Sequence, residues 1–140
     1  MNMYIKIKMK CYQIKWAFQR IIKGYDEKDV YDFHDTFVKK MVLILQEYQK
    51  YNAQWWIPEM LQNLFPQKQY FSKEQTEAIL DVMINHFKMS DEEYVLQLLY
   101  GEHSSYLLDY KDWERVFKIR QQNQDRAMEL LKIFLNNIWV

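Results

Sequence analysis

Residues 30–48, VYDFHDTFVKKMVLILQEY, carry the clearest helical pattern in this 140-residue chain. Apolar and aromatic side chains recur there at spacings of three and four, which places them on one face of an α-helix. They are Val30, Phe33, Phe37, Met41, Ile44 and Tyr48. Asp26 is a suitable N-cap, and acidic residues follow it where the helix dipole favours them. The pattern predicts a helix over residues 26–51.

The rest of the chain also favours helices, because it holds only 2 Gly and 2 Pro and can form few turns. Capping boxes are predicted at Ser72 with Gln75 and at Ser90 with Glu93, and Gly101 is suited to ending a helix. The remaining helices are predicted at residues 11–23, 57–65, 72–100 and 112–139, with an interruption in the third near residue 88. We therefore expect an all-α fold, a single domain forming a compact bundle of four to five helices.

The first ten residues have a different pattern. Ile5, Ile7 and Met9 alternate with lysines, which is the period of a β-strand. A short strand or an extended arm over residues 1–10 is therefore expected, although no strong partner strand is present.

Charge and composition exclude several classes of protein. The 19 basic and 19 acidic residues cancel, so no net charge attracts the chain to a membrane or to nucleic acid. No run approaches 18 apolar residues, so no membrane span is expected. A single cysteine, Cys11, fits a reducing compartment and a buried position. We expect a protein of the cytoplasm with no membrane partner.

Catalysis is not expected either. The dipeptide His34–Asp35 is typical of helical metal-dependent phosphohydrolases, but no earlier histidine can supply their first ligand. Glu74 and Glu77 match half of the magnesium motif of helical nucleotide pyrophosphohydrolases. Its second half would be Asp109 and Asp112, which form only a DxxD pair in a predicted loop. We expect no enzyme, no metal site and no cofactor.

Two groups of side chains are candidates for binding a macromolecule. Aromatic residues and Met are enriched at protein interfaces, and one short segment holds more of them than a single stripe can bury. These residues are Tyr51, Trp55, Trp56, Met60 and Phe65. The alternative is that this segment closes the end of the bundle.

A basic N-terminal segment is the second candidate, because no acidic residue precedes Asp26. Its lysines could contact phosphates while Tyr12 and Trp16 stack on bases. The candidate contacts are Lys6, Lys8, Lys10 and Lys15. The alternative is that the basic side chains complement a helix dipole and discourage strand pairing.

The stretch KWAFQRIIKGYDEKDVYDF, residues 15–33, resembles a family of small uncharacterised proteins of tailed phages and prophages. Their recurrent pattern is W-x-x-Q-R-x-x-R-G-[YW]-x-D-x-D-x-W-x-[FL]-D, and members close with a C-terminal helix that ends in Leu-Trp. The matching residues are Trp16, Gln19, Arg20, Gly24, Tyr25, Asp29, Phe33 and Trp139. Lys23, Glu27, Tyr31 and His34 depart from the pattern. The resemblance implies an accessory protein of a bacterial virus that acts inside the host cell, and it implies no activity.

The same motif has a physical interpretation. Gly24 and Tyr25 form a predicted turn between two helices, and Asp26 caps the second. Arg20 and Asp29 lie one helical turn on either side, so a charge-assisted hydrogen bond between them would fix the hairpin.

We expect a non-enzymatic protein that binds a host or phage protein, for example to inhibit a host defence or metabolic component. The alternative is a nucleic-acid-associated role in replication, packaging or regulation. The sequence leaves open whether the protein forms a homo-oligomer.

Overall fold

A computed structural model describes residues 2–23, 33–101 and 108–138. The chain divides into two compact units, Met1–Phe37 and Val38–Val140. The single-domain interpretation stays a prediction. The motif residues Gly24, Tyr25, Asp26 and Asp29 lie outside the described residues.

The described residues confirm an all-α protein. Five α-helices are α1 (Met3–Lys23), α2 (Phe33–Gln49), α3 (Lys73–Lys88), α4 (Glu92–Tyr100) and α5 (Tyr110–Phe134). Two short 3₁₀ helices span Glu59–Leu64 and Leu135–Asn137. In the second unit α5 packs against both α3 and α4.

The N-terminal strand or arm is not formed, because α1 already begins at Met3. A strand would need a partner for its backbone groups, whereas a helix closes its own hydrogen bonds within one segment. Asn2 provides the start, since its side-chain oxygen accepts a hydrogen bond from the Tyr4 amide at 3.0 Å. The alternation of Ile and Lys therefore marked no strand.

Helix α2 buries a face that differs in part from the predicted stripe. Val38, Leu45 and Tyr48 are its buried residues, whereas Phe33 and Ile44 of the predicted stripe are exposed. The run from Met41 to Leu45 is entirely apolar, so spacing alone allows two neighbouring stripes through it. Leu45, four residues after Met41, continues the buried stripe, and the choice of Ile44 was wrong.

Two predicted helix ends are confirmed. Ser72 and Gln75 form the capping box that opens α3. Gly101 ends α4 with φ of 80°, a conformation that glycine adopts without strain.

The break after Lys88 is also present, but its cap was predicted one residue early. Asp91 is the N-cap of α4, and its carboxylate accepts from the Glu93 amide. Ser90 is buried instead, and its hydroxyl donates to the Phe87 carbonyl at 2.7 Å.

Helix α5 begins two residues earlier than predicted, at Tyr110. Asp109 and Asp112 make its capping box, in which each carboxylate accepts from the other residue's backbone N–H. The DxxD pair that sequence reasoning placed in a loop is therefore a helix start.

Polar side chains in the middle of α5 form contacts with the α3–α4 region. Arg120 donates from Nε to the Ser90 carbonyl at 3.1 Å, and His86 Nδ1 lies 2.8 Å from Asn123 Oδ1. The Asn123 amide group donates to the Ile119 carbonyl, which turns its oxygen toward His86. The interruption of the apolar stripe in α5 is thus a polar interface between helices.

Candidate interaction surface

A short antiparallel pairing of two backbone segments organises the aromatic segment of the second unit. Trp56 and Tyr70 form an isolated antiparallel bridge. Around it the Ile57 amide donates to the Gln69 carbonyl and the Phe71 amide donates to the Trp55 carbonyl, both at 2.8 Å. Because neighbouring side chains on a strand point to opposite faces, this ribbon, residues 55–57 and 69–71, has an inner and an outer face.

The inner face belongs to the core. Trp55 is 1% exposed, and its ring stacks on Phe134 with centroids 5.2 Å apart. Phe71 is buried against the same ring, with centroids 6.2 Å apart. The Trp55 amide donates to the Thr76 hydroxyl at 3.1 Å, which ties the ribbon to the first turn of α3.

The C-terminal 3₁₀ turn completes the support of the ribbon. Asn137 is buried, and its side-chain amide donates to the Trp56 carbonyl at 2.8 Å. Its own carbonyl accepts from the Tyr48 hydroxyl at 3.2 Å. Asn137 therefore holds the backbone that carries Trp56, and Tyr48 in turn holds Asn137.

The outer face presents Trp56 and Tyr70 to solvent, with 43% and 55% of their surfaces exposed. We call these two residues the aromatic pair. They are opposed across a non-hydrogen-bonded site of the bridge, where side chains on the two strands lie closest. Tyr70 was missed by sequence reasoning, because no spacing rule pairs residues 56 and 70 before the ribbon is known.

The other predicted partner-binding residues fall into three environments. Tyr51 and Met60 are exposed, Phe65 is half-buried and packs edge-on against Phe71, and Trp55 is in the core. Trp55 is therefore corrected from a surface to a core residue. The segment closes the core with one face and exposes aromatic side chains on the other, and its role as a partner-binding surface stays a prediction.

An apolar groove of about 340 Å³ lies between α2 and the start of α4. Val42, Leu43 and Tyr94 line it, and Lys39, Lys88 and Asp91 also contribute to its wall. Lys39 reaches across to Glu93 with an Nζ–Oε2 distance of 3.0 Å. The groove is thus lined by both apolar and charged side chains.

The predicted nucleic-acid contacts all lie on α1. Lys6, Lys8, Lys10 and Lys15 are exposed, and so is Cys11, which was expected to be buried. The rings of Tyr12 and Trp16 stack on one another with centroids 5.8 Å apart. At 100° per residue, Lys6 and Lys10 fall on one side of the helix and Lys8 and Lys15 on the other.

The residues that match catalytic motifs lie on helices α2 and α3. Glu74 and Glu77 are exposed on the first turns of α3, and His34 Nδ1 lies 3.4 Å from Asp35 Oδ1. Over residues 2–23, 33–101 and 108–138, no group of three His, Cys, Asp or Glu side chains could hold a metal ion.

One tyrosine has a perturbed acidity. Loss of solvation raises the pKa of Tyr100 above 10.0, and the Asp112 carboxylate, to which its hydroxyl donates at 3.2 Å, raises it further. Arg115 acts in the opposite direction. The arrangement holds the end of α4 against the first turn of α5.

Within the part of the chain that the structure describes, no helix has the length and apolar character needed to cross a membrane. No protein-family model matches the chain, and comparisons with curated proteins and with solved structures find no significant similarity.

Proposed function

We propose that the chain is a non-enzymatic binding protein that engages a protein partner through the aromatic pair. The observation that carries this proposal is the contrast across the ribbon. Trp55 and Phe71 are fixed in the core, whereas Trp56 and Tyr70 stand exposed on the same backbone.

A rigid support favours binding for an energetic reason. Ordering a side chain or loop on association reduces affinity, so a surface that is already held in place loses less. Trp and Tyr are also the side chains most often found as binding hot spots. That support comes from two hydrogen bonds of the ribbon backbone: the Trp56 carbonyl accepts from the Asn137 side-chain amide, and the Trp55 amide donates to the Thr76 hydroxyl.

The nature of the partner rests on the resemblance to phage and prophage proteins. We propose an accessory protein of a bacterial virus whose partner is a host or phage protein in the bacterial cytoplasm. Inhibition of a host defence or metabolic component is one concrete form of this role.

The experiment is affinity purification of the tagged full chain from the bacterial host, followed by quantitative mass spectrometry. The test variant is Trp56→Ala with Tyr70→Ala. Tyr110→Ala is the matched control, because Tyr110 is 81% exposed and lies on α5, outside the ribbon. A partner that binds the wild type and the control but not the test variant is the expected result. Equal capture by all three chains would overturn the proposal.

The nucleic-acid role is the second candidate, and the basic, acid-free sequence of α1 favours it. Its test is binding of short single- and double-stranded DNA and RNA at two salt concentrations. Salt-sensitive binding that is lost when Lys6, Lys8 and Lys10 are changed to Glu would support it.

A further inference from the structure

Helix α1 exposes an apolar face along its whole length. None of its 21 residues is buried, and Ile14, Phe18 and Ile21 each expose more than half of their surface. At 100° per residue the apolar side chains of this face fall within an arc of about 100°. They are Met3, Tyr4, Ile7, Cys11, Ile14, Phe18, Ile21 and Ile22. We call this arc the apolar face of α1.

Only positive charge borders the apolar face. Lys6 and Lys10 lie along one edge and Lys8 and Lys15 along the other, and all four side chains are exposed. Residues 2–23 contain no Asp or Glu. Lysine side chains in such positions can lay their methylene chains along an apolar surface and keep their ammonium groups in a polar layer.

A second copy of α1 is a poor partner for this face. Ile7, Cys11, Ile14, Phe18 and Ile21 follow the alternating four–three spacing of a coiled coil. The positions that flank this seam carry Lys8, Lys10 and Lys15 and no acid, so pairing two copies would bring lysines together. Like charges at these positions oppose association.

Nucleic acid also fits only part of the helix. A phosphate backbone could be contacted by the lysines of one edge, but it would leave the apolar face in water. The partner must therefore offer apolar surface and negative charge together, in an extended layer about 30 Å long to match the helix.

We propose that α1 binds the surface of an anionic lipid bilayer. The helix lies in the plane of the interface, with the apolar face among the upper acyl chains and the flanking lysines at the headgroup phosphates. The expectation of no membrane partner rested on the neutral total charge and the absence of a spanning segment. Neither property bears on a local amphipathic helix, which binds without crossing.

The experiment is flotation of the full chain with lipid vesicles at low and high salt. One vesicle is phosphatidylcholine alone, and the other is phosphatidylcholine mixed with phosphatidylglycerol. We expect binding to the anionic vesicles only, weakened by salt, with a loss of about fivefold for each of Lys8→Gln and Lys10→Gln.

A matched pair of variants tests the apolar face. Ile14→Asp and Gln13→Asp add the same charge at adjacent exposed positions of α1, but only Ile14 lies within the apolar face. We expect Ile14→Asp to lower vesicle affinity by more than about tenfold and Gln13→Asp to have a smaller effect. Circular dichroism of both variants checks that the helix is retained.

Three results would overturn the proposal. The first is equal affinity for the two kinds of vesicle, or none for either, at low salt. The second is an equal effect of Ile14→Asp and Gln13→Asp. The third is a homodimer in light scattering that Ile14→Asp dissociates, which would assign the apolar face to a second copy. None of these results concerns the aromatic pair, so the proposed function is tested separately.

Discussion

The indole of Trp55 donates a hydrogen bond from Nε1 to the hydroxyl of Tyr48 at 2.9 Å, and both side chains are buried. The same hydroxyl donates to the Asn137 carbonyl at 3.2 Å. One oxygen thus satisfies a donor of the ribbon and an acceptor of the C-terminal turn. The two hydrogen bonds of Tyr48 thus join α2, the ribbon and the C-terminal 3₁₀ turn of the second unit.

Removal of that oxygen should therefore destabilise the fold. In Tyr48→Phe the buried indole N–H and the Asn137 carbonyl both lose a partner, and an unsatisfied buried group costs about 1–3 kcal/mol. We expect a loss of this size in the free energy of unfolding, measured by urea denaturation. Tyr51→Phe is the control, because Tyr51 is exposed. Equal stability of the two variants would show that the hydroxyl of Tyr48 is not needed.

Truncation of the two neighbouring tryptophans should change the unfolding free energy by very different amounts. Trp55→Ala removes a ring stacked on Phe134 and leaves a cavity, so we expect a loss of about 3–5 kcal/mol in unfolding free energy. Trp56→Ala changes an exposed side chain and should stay within about 0.5 kcal/mol. Thermal and urea unfolding of both variants measures the difference. Similar losses for both variants would contradict the two-faced ribbon.

The contact between Tyr100 and Asp112 predicts a change of stability at alkaline pH. A pKa raised in the folded state means that the folded protein keeps the phenol proton more tightly than the unfolded chain. The stabilisation is therefore complete below the unfolded pKa of about 10, and it is lost as the pH rises through the folded pKa. We expect Tyr100→Phe to reduce the alkaline loss of stability, measured by urea unfolding at pH values on both sides of 10.0. Tyr110→Phe is the control, and an identical pH dependence in both variants would contradict the prediction.

The helical hairpin predicted from the N-terminal motif can also be tested by mutation, although Asp29 lies outside the described residues. If Arg20 and Asp29 form a charge-assisted hydrogen bond, their single and double alanine variants should show a coupling energy of about 0.5–3 kcal/mol. A double-mutant cycle in unfolding free energy measures it. Additive effects of the two substitutions would remove this role from the motif.

The fold class and the two confirmed helix ends were predictable because they depend on neighbouring residues. The capping box can be predicted from the spacing of three between Ser72 and Gln75 alone. The helix end at Gly101 can be predicted from the conformational freedom of glycine alone. The helical start at Asn2 was missed, because the residues from Ile5 to Met9 alternate with the period of a strand although they are helical.

The sequence predicted which segment carries the candidate surface, but not which of its side chains are exposed. Trp55 and Trp56 are equivalent in sequence, and Trp55 is buried against Phe134, which lies far away along the chain. In the same way, the lysines of α1 lie along the two edges of an apolar face only because residues 3–10 are helical, and that helix was not predicted. Contacts between residues far apart in sequence decide which side chains are exposed, and the periodicity within a segment does not show these contacts.

The two hydrogen bonds of Asn137 also constrain the order in which the protein can fold during synthesis. Its partners Tyr48 and Trp56 are 89 and 81 residues away in sequence. A ribosome-bound chain therefore carries the ribbon without its final support until residue 137 has emerged from the exit tunnel. Contacts of such long sequence separation form late and slow folding. Until that residue is available, the ribbon lacks the hydrogen bond that Asn137 donates to the Trp56 carbonyl.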